Sequence, residues 1–228
     1  MDEPPLGAAV ERLAAFLAAD PLTTTIATLE HQLLGRGGSE AAALTSDSHV
    51  DRDLLEAAIT VRHEFGRLSD LIHAAAICLV LPQILDAGEE ITNRPSLAAG
   101  NDSTRPYDLE TNMRVAEFKL AQWTGADVMR KRQTFKDFVC LAAETSGRQP
   151  ELFVVGPEPI RFLRTSRSSA AWALDRAPAA RQLFGERFGS LEVSIADFVA
   201  GTGARVRITD LMPLLLELAK VGEILRDR

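Results

Sequence analysis

Apolar residues recur three or four positions apart through most of the first hundred residues, which is the spacing of one face of a helix. This pattern predicts a helix from Leu6 to Ala19, which Pro21 ends, and a second from Thr23 to Leu34, which a glycine-rich stretch closes. Residues 39–50 are polar and lack the pattern, so we expect a linker there. The sequence thus predicts a helical N-terminal extension over residues 1–50.

Two further helices are predicted before residue 90. Residues Asp51 to Phe65 place their apolar side chains on one face, as expected for a helix that packs on a core. After Gly66, a segment that runs to Leu85 is strongly apolar, which predicts a deeply buried helix. Residues 51–228 are therefore expected to form the main domain.

The clearest strand signal is a hairpin in the middle of the chain. Pro106 to Thr111 and Arg114 to Trp123 carry strand-type residues on either side of Asn112-Met113. Asparagine favours a tight two-residue turn, whereas methionine after it does not. With these two residues as the loop, Thr111 pairs with Arg114.

Helix and strand signals alternate after the hairpin. A helix is predicted from Gly125 to Ala143, a short strand from Glu151 to Val155, another from Val206 to Ile208, and a final helix from Leu211 to Leu225. Helices that alternate with strands are typical of an α/β fold, in which helices flank a central sheet. We therefore expect an α/β domain after the N-terminal extension.

Composition narrows the classes of protein. The chain has 228 residues, 46% of them hydrophobic, which is enough to bury a sizeable core. The longest apolar run, Ala74 to Leu81, stops at Pro82 and falls short of the roughly 20 residues that cross a bilayer. The N-terminus is acidic, where a secretory signal is basic. We expect a cytoplasmic protein with no membrane partner.

Charge is distributed unevenly along the chain, whose net charge is −7. Residues 1–113 contain 7 Lys and Arg against 18 Asp and Glu, whereas residues 114–181 contain 12 against 7. An acidic protein is not expected to coat nucleic acid, but a local basic excess binds its phosphates. This excess includes the second strand of the hairpin and the helix that follows it.

The hairpin brings together residues suited to metal-dependent chemistry. Counting outward from its turn places Asp108 opposite Glu117. Strand side chains alternate between faces, so Glu117 and Lys119 point to the same side, away from Ala116 and Phe118. Mg²⁺ prefers carboxylate ligands, and a nearby cation positions water and stabilises negative charge. The alternative interpretation is an exposed hairpin face with ordinary charges.

Asp108, followed by Glu117-Phe118-Lys119 in a hairpin that precedes a helix and a strand, resembles the PD-(D/E)XK, or restriction-endonuclease-like, nuclease superfamily. The resemblance spans roughly residues 52–157. It implies a mixed central sheet flanked by helices, a nuclease activity and a bound Mg²⁺ or Mn²⁺. Asp108 and Glu117 are implied to hold the metal, and Lys119 to assist the attacking water. Tyr107 stands between Pro106 and Asp108, so the literal Pro-Asp pair of the family is missing.

The same resemblance points to two more residues. Members of the superfamily often carry a further acid on the helix before the hairpin, and Glu64 matches it as a third residue of the metal site. Some branches carry a glutamine on the helix after the hairpin, which Gln133 matches as a catalytic residue. Both also suit ordinary polar helix positions. Glu110 lies on the same face as Asp108 and is an alternative ligand.

Four basic residues lie beside the expected site on the helix that follows it: Arg130, Lys131, Arg132 and Lys136. Lysine and arginine contacts to phosphates supply affinity that does not depend on base sequence. We therefore predict that these four residues bind nucleic acid, although a solvated helix face is the usual explanation of such a run.

The expected function is hydrolysis of DNA phosphodiester bonds, in defence against foreign DNA or in DNA repair, by a homodimer or together with a partner protein. Two alternatives stay open. One is a non-catalytic nucleic-acid-binding or assembly module that retains the fold. The other is an RNA-directed nuclease, because fold and metal chemistry do not determine the polymer.

Overall fold

The computed structural model describes residues 5–66, 68–97, 106–121, 123 and 127–219. By its packing, the chain divides into two compact units, Met1–Ser69 and Asp70–Arg228. The sequence placed a boundary near Val50. The packing boundary comes later because the helix that follows Val50 packs against the first helix of the chain.

The described part of the first unit is helical, with α1 (Leu6–Ala19), α2 (Leu22–Leu33), α3 (Gly38–Asp47) and α4 (Arg52–Glu64). The predicted bounds of α1 are confirmed. The linker predicted over residues 39–50 is wrong, because α3 occupies most of it. Three consecutive alanines and Leu44 favour a helix there more strongly than the polar residues favour a loop.

Asp51 holds the start of α4 in two ways. Its carboxylate accepts a hydrogen bond from the backbone N–H of Leu54 at 2.8 Å, which caps the helix. Its Oδ2 also lies 2.7 Å from Arg12 Nη2 on α1. The ion pair and the packing of α1 on α4 explain why both helices belong to one unit.

The helix α5 (Leu68–Ile84) was predicted to be deeply buried, and this prediction is wrong. One side of α5 packs through Ile77 and Val80 beneath the sheet, but Leu71 on the other side is 64% exposed. In the described chain, Arg52–Ile84 contains a stretch that is apolar enough by length and composition to cross a membrane, which alone is weak evidence.

A mixed sheet forms the centre of the second unit, with strands in the order β1 (Leu109–Glu110), β2 (Arg114–Lys119), β3 (Gln149–Val154) and β4 (Arg207–Asp210). The pair β1 and β2 is antiparallel, whereas β2, β3 and β4 are parallel. The carboxyl ends of the three parallel strands therefore share one edge of the sheet. The predicted hairpin is confirmed with shorter strands, since the second ends at Lys119 and not at Trp123.

Helices cover both faces of the sheet. One face carries α6 (Val128–Ala142), α7 (Pro157–Thr165), α8 (Ala170–Ala173), α9 (Pro178–Phe188) and α10 (Ile195–Ala200). They enclose a core that includes Val115 of β2 and Leu152 of β3. The other face packs Phe118 and Phe153, stacked at 4.8 Å between ring centroids, against α5. The predicted α/β class is thus confirmed.

Two predicted helix limits fall on residues outside the described chain. The helix expected from Gly125 begins at Val128 in the structure, where Asp127 caps it by accepting from the N–H of Arg130 at 3.0 Å, and Gly125 itself lies outside the described residues. The last helix, α11, is described over Met212–Ala219, and the rest of the predicted span to Leu225 lies outside them.

Candidate active site

The hairpin has the predicted register. Leu109 pairs with Ala116 across it, and one further residue outward this register places Asp108 opposite Glu117. The Asp108 Oδ2 accepts a hydrogen bond from the backbone N–H of Phe118 at 2.9 Å, which anchors the carboxylate on the second strand. The two acids predicted to hold a metal therefore lie opposite each other on one face of the hairpin, with Asp108 directly before β1 and Glu117 in β2.

Side chains hold the turn of the hairpin. The N–H of Thr111 donates to the carbonyl oxygen of Arg114 at 2.9 Å, and Thr111 Oγ1 accepts from the N–H of Arg114 at 2.8 Å. Asn112 Oδ1 accepts from the N–H of Glu90 at 2.9 Å, and its Nδ2 donates to Gly88 O at 3.2 Å. Neither turn residue has a positive φ. A methionine is therefore tolerated at a position where a type I′ turn would demand glycine.

Lys119 lies at the end of β2 between two carboxylates. Its Nζ is 2.9 Å from Glu117 Oε2 and 2.8 Å from Asp137 Oδ2 on α6. The three side chains are 21%, 13% and 8% exposed, respectively. Asp137 also accepts from Gln133 Nε2 at 3.0 Å and lies 3.1 Å from Lys136 Nζ. The structure thus brings Gln133 and Lys136 to this cluster through their contacts with Asp137.

Sequence reasoning did not identify Asp137. The residue lies one turn after Gln133 on α6, and its neighbour Phe138 is fully buried. The sequence feature that could have identified Asp137 is an aspartate beside inward-facing apolar residues, because a buried carboxylate needs a partner. The partner, Lys119, comes from a different element, and this pairing is not visible in a local pattern.

The surroundings of this cluster favour the neutral form of Glu117 and the charged form of Lys119. Burial, together with the charges of Asp108 and Asp137, raises the pKa of Glu117 from 4.5 to about 7, although Lys119 acts in the opposite direction. Burial alone lowers the pKa of Lys119, but the carboxylates of Asp137 and Glu117 outweigh it and raise that pKa. Lys119 is therefore an ammonium at neutral pH, where Glu117 changes between its acid and carboxylate forms.

The oxygen donors of the hairpin suit a hard divalent cation. Mg²⁺ is commonly held by one or two carboxylates, with waters and substrate phosphates completing its coordination, and Asp108 and Glu117 supply such a pair. Across the described ranges, no three His, Cys, Asp or Glu side chains are grouped so as to hold a metal ion. Within the described residues, the hairpin thus offers two carboxylates and no closed cage of protein ligands.

The two other acids considered from the sequence have polar partners of their own. Glu110 Oε2 is 3.1 Å from Arg148 Nη1, and Glu110 Oε1 accepts from Asn93 Nδ2 at 2.9 Å, so its carboxylate already has two donors. Glu64 belongs to the first unit, where its Oε1 lies 3.2 Å from His63 Nδ1 and its side chain is 52% exposed. A role for Glu64 in metal binding stays a prediction.

The basic residues of α6 point in more than one direction around the helix. Consecutive residues of a helix point about 100° apart, so Arg130, Lys131 and Arg132 face different directions. Arg130 Nε lies 3.0 Å from Asp127 Oδ2. Arg132 pairs with Asp175, in the turn after α8, at 3.5 Å and lies 5.0 Å above the ring of Trp172. Binding of nucleic acid by these residues, and by Lys136, stays a prediction.

Lys131 faces a cavity of about 260 Å³ between α6 and α7, whose lining includes Arg161 and Trp123. No ion pair of Lys131 occurs among the residues that the structure describes. Of the four basic residues, Lys131 is therefore the one without an ion pair within that part of the chain, and Glu158 lines the same cavity.

A second charged cluster lies on the opposite face of the sheet, and the sequence did not predict it. Arg114 pairs with Glu89 and Glu151, and all three side chains are at most 6% exposed. Although burial acts to raise it, hydrogen bonds from Arg114 and Thr111 lower the pKa of Glu89. The sequence feature that could have revealed this cluster is the position of Arg114 on the same strand face as Phe118, which is buried.

No protein-family model matches the chain, and comparisons with characterised proteins and with solved structures find no significant match. The class of protein is therefore defined by the fold and the site: a mixed α/β protein with helices on both faces of its sheet and a buried cluster of carboxylates around a lysine.

Proposed function

We propose that this protein is a metal-dependent nuclease that hydrolyses phosphodiester bonds of DNA, with the core of a restriction-endonuclease-like enzyme. One observation carries the proposal. Asp108 and Glu117 lie opposite each other on one face of the hairpin, with Lys119 Nζ 2.9 Å from Glu117. Two carboxylates and one ammonium in a single small area are groups suited to hydrolysis of a phosphodiester at a divalent metal.

Asp108 and Glu117 are the residues that would hold the metal. A bound Mg²⁺ or Mn²⁺ would polarise the phosphate and lower the pKa of an attacking water. Of the protein groups, the Phe118 N–H orients the Asp108 carboxylate. Glu117 must be ionised to accept a cation, and its raised pKa makes this ionisation occur near neutral pH.

Lys119 has a separate role in the proposal. Its pKa is raised by Asp137 and Glu117 in spite of burial, so it remains a donor at neutral pH. An ammonium beside the carboxylates can orient a water molecule and stabilise the negative charge that develops on the phosphate. Removing Lys119 would leave that charge without a protein donor at this position.

A non-catalytic module that retains the fold is the second candidate, and one contact favours it. Lys119 already neutralises Glu117 within the protein, so the buried carboxylates do not need an external cation. In that case the cluster ties β2 to α6, and the protein binds nucleic acid or another protein without cutting it. The two candidates differ in whether Mg²⁺ or Mn²⁺ binds and in whether cleavage occurs.

The test is cleavage of supercoiled plasmid, linear duplex, single-stranded DNA and RNA of matched sequence, each with Mg²⁺, with Mn²⁺ and with chelator. We compare wild type with Glu117→Gln, Lys119→Ala and the exposed control Glu192→Gln. Metal polarisation and charge stabilisation each contribute several kcal/mol, so both site variants should lose about 100-fold or more in rate. Glu192→Gln should cleave as wild type does.

Each result separates the candidates. Metal-dependent cleavage of DNA that both site variants lose supports the nuclease, and preferential cleavage of the RNA transfers the proposal to an RNA-directed enzyme. Cleavage that survives in Glu117→Gln and Lys119→Ala alike would rule out this site. If wild type cleaves no substrate and binds DNA equally well with and without chelator, the non-catalytic module is favoured.

A further inference from the structure

Lys119 is shared between two carboxylates at nearly equal distances, 2.9 Å to Glu117 and 2.8 Å to Asp137. The two carboxylates are not equivalent. Among the residues that the structure describes, Lys119 is the one hydrogen-bonding partner of the Glu117 carboxylate, whereas Asp137 also contacts Gln133 and Lys136. Glu117 is thus the acid that becomes free if Lys119 moves.

The ammonium of Lys119 and an external cation compete for Glu117. Two positive charges that lie against one carboxylate repel each other, and this repulsion is strong in a site with little water. A cation therefore binds Glu117 at a lower cost if Lys119 has another carboxylate to which it can transfer its contact. Asp137, 8% exposed and already within 2.8 Å of Nζ, is that carboxylate.

Helix α6 holds Asp137 in position for this role. Gln133 lies one turn before Asp137 and donates to its Oδ2 at 3.0 Å, and Lys136 lies 3.1 Å from its Oδ1. The carboxylate is therefore fixed from its own helix while Lys119 approaches from the sheet. Asp137 need not move when Lys119 leaves Glu117.

We propose that Asp137 is a positioning residue that takes the Lys119 ammonium away from Glu117 and so frees Glu117 to bind a divalent cation. This inference rests on the proposed function, because it assumes that Glu117 is a metal ligand. It assigns no contact between Asp137 and the metal or the substrate. Its consequence is a dependence of metal affinity on Asp137 that passes through Lys119.

The experiment is calorimetric titration of the full chain with Mn²⁺ alone, without nucleic acid. Changes beside a metal ligand typically cost 10–100-fold in affinity, so Asp137→Asn should weaken Mn²⁺ binding by about tenfold or more. Lys119→Met should tighten it, because the competing ammonium is gone. In the Lys119→Met background, Asp137→Asn should have an effect at least about threefold smaller than in wild type.

Lys136→Gln is the matched control. Lys136 contacts Asp137 as Lys119 does, but it does not contact Glu117. Without the Lys136 ammonium, the whole negative charge of Asp137 is available to attract Lys119, so Mn²⁺ affinity should stay the same or increase. Asp137→Glu keeps the charge and should stay within about threefold of wild type. Circular dichroism and thermal unfolding establish that each variant is folded.

The outcomes are decisive for the proposal. If folded Asp137→Asn binds Mn²⁺ within about threefold of the wild-type affinity, the proposal is overturned. It is also overturned if Asp137→Asn has the same effect in wild type and in Lys119→Met, because Asp137 then acts by its charge alone and not through Lys119. If Asp137→Asn does not fold, a loss of affinity in Lys136→Gln or in Lys119→Met overturns the proposal, and the expected tightening in Lys119→Met supports it. Absence of Mn²⁺ binding by wild type also overturns it.

Failure of this proposal is distinguishable from failure of the nuclease proposal. Mn²⁺ binding that follows the expected order without cleavage of any nucleic acid would retain the role of Asp137 and remove the nuclease. Cleavage by wild type with unchanged Mn²⁺ affinity in Asp137→Asn would retain the nuclease and remove the role of Asp137.

Discussion

Arg114 forms a two-point ion pair with Glu89, with Nε to Oε1 and Nη2 to Oε2 both 2.6 Å. The pair joins the start of β2 to the loop that precedes the hairpin, 25 residues earlier in the chain. Glu151 of β3 adds a third contact at 3.0 Å from Nη1. Because Arg114 joins two strands and a loop, the position of the hairpin that carries Glu117 depends on it.

Replacing Arg114 should therefore destabilise the second unit strongly. Arg114→Met leaves the buried carboxylates of Glu89 and Glu151 without their cation, and breaking a buried pair in this way costs about 3–5 kcal/mol. Arg207→Met is the control, because Arg207 is 58% exposed and 3.9 Å from Glu151; its cost should be below about 1 kcal/mol. Urea unfolding followed by tryptophan fluorescence measures both, and equal costs would contradict the prediction.

The stability of the protein should depend on pH through Glu117. Its pKa is raised from 4.5 to about 7, chiefly by burial, so between these values the folded protein holds a proton that the unfolded chain has released. The stabilisation that this proton gives the folded protein is fully present below about pH 4.5 and is lost as the pH rises through 7. At about 1.36 kcal/mol for each unit of pKa, the loss is at most about 3 kcal/mol.

The neutral variant Glu117→Gln provides the reference for this measurement. The free energy of unfolding of wild type minus that of Glu117→Gln should decrease from pH 4.5 to 7.5 in urea titrations. The exposed control Glu192→Gln should show no such trend against wild type. A difference that stays constant or grows with pH would mean that Glu117 is not held in its acid form.

Asp108 and Glu110 lie on the same face of the hairpin, and cleavage assays should distinguish them. Asp108→Asn keeps an oxygen for the Phe118 N–H but removes the charge, so the rate should decrease by about 100-fold or more. Glu110 is occupied by Arg148 and Asn93, so Glu110→Gln should lower the rate by less than about threefold if the variant is folded. The opposite order would make Glu110 the metal ligand.

Replacing Gly203 and Gly185 by alanine should change the stability of the protein in opposite directions. A Cβ on Gly203 would lie 2.6 Å from Cε1 of the buried Phe138, so Gly203→Ala should cost about 1–3 kcal/mol. Gly185 lies inside α9 with nothing within 4 Å of its Cβ position, so Gly185→Ala should stabilise by about 0.5–1 kcal/mol. Thermal unfolding of both variants against wild type provides the comparison.

Local sequence patterns predicted the parts of the fold that local forces hold. The hairpin register followed from the two-residue loop and from side-chain alternation, and the helix bounds of α1 followed from its apolar period and Pro21. Where the pattern was weak, helix propensity decided the outcome: residues 39–50 look polar, yet most of them belong to α3, which contains three consecutive alanines. The burial of α5 depended on which of its sides met the sheet.

The candidate site shows the same division. The sequence by itself determined that Glu117 and Lys119 share a face and that Asp108 lies opposite Glu117, because these relations are set within residues 108–119 of one hairpin. Only the tertiary structure decided that Asp137 lies beside Lys119 and that Arg114 meets Glu151, 37 residues later. Such contacts depend on how a helix and separate strands pack, and no local period of the sequence records that packing.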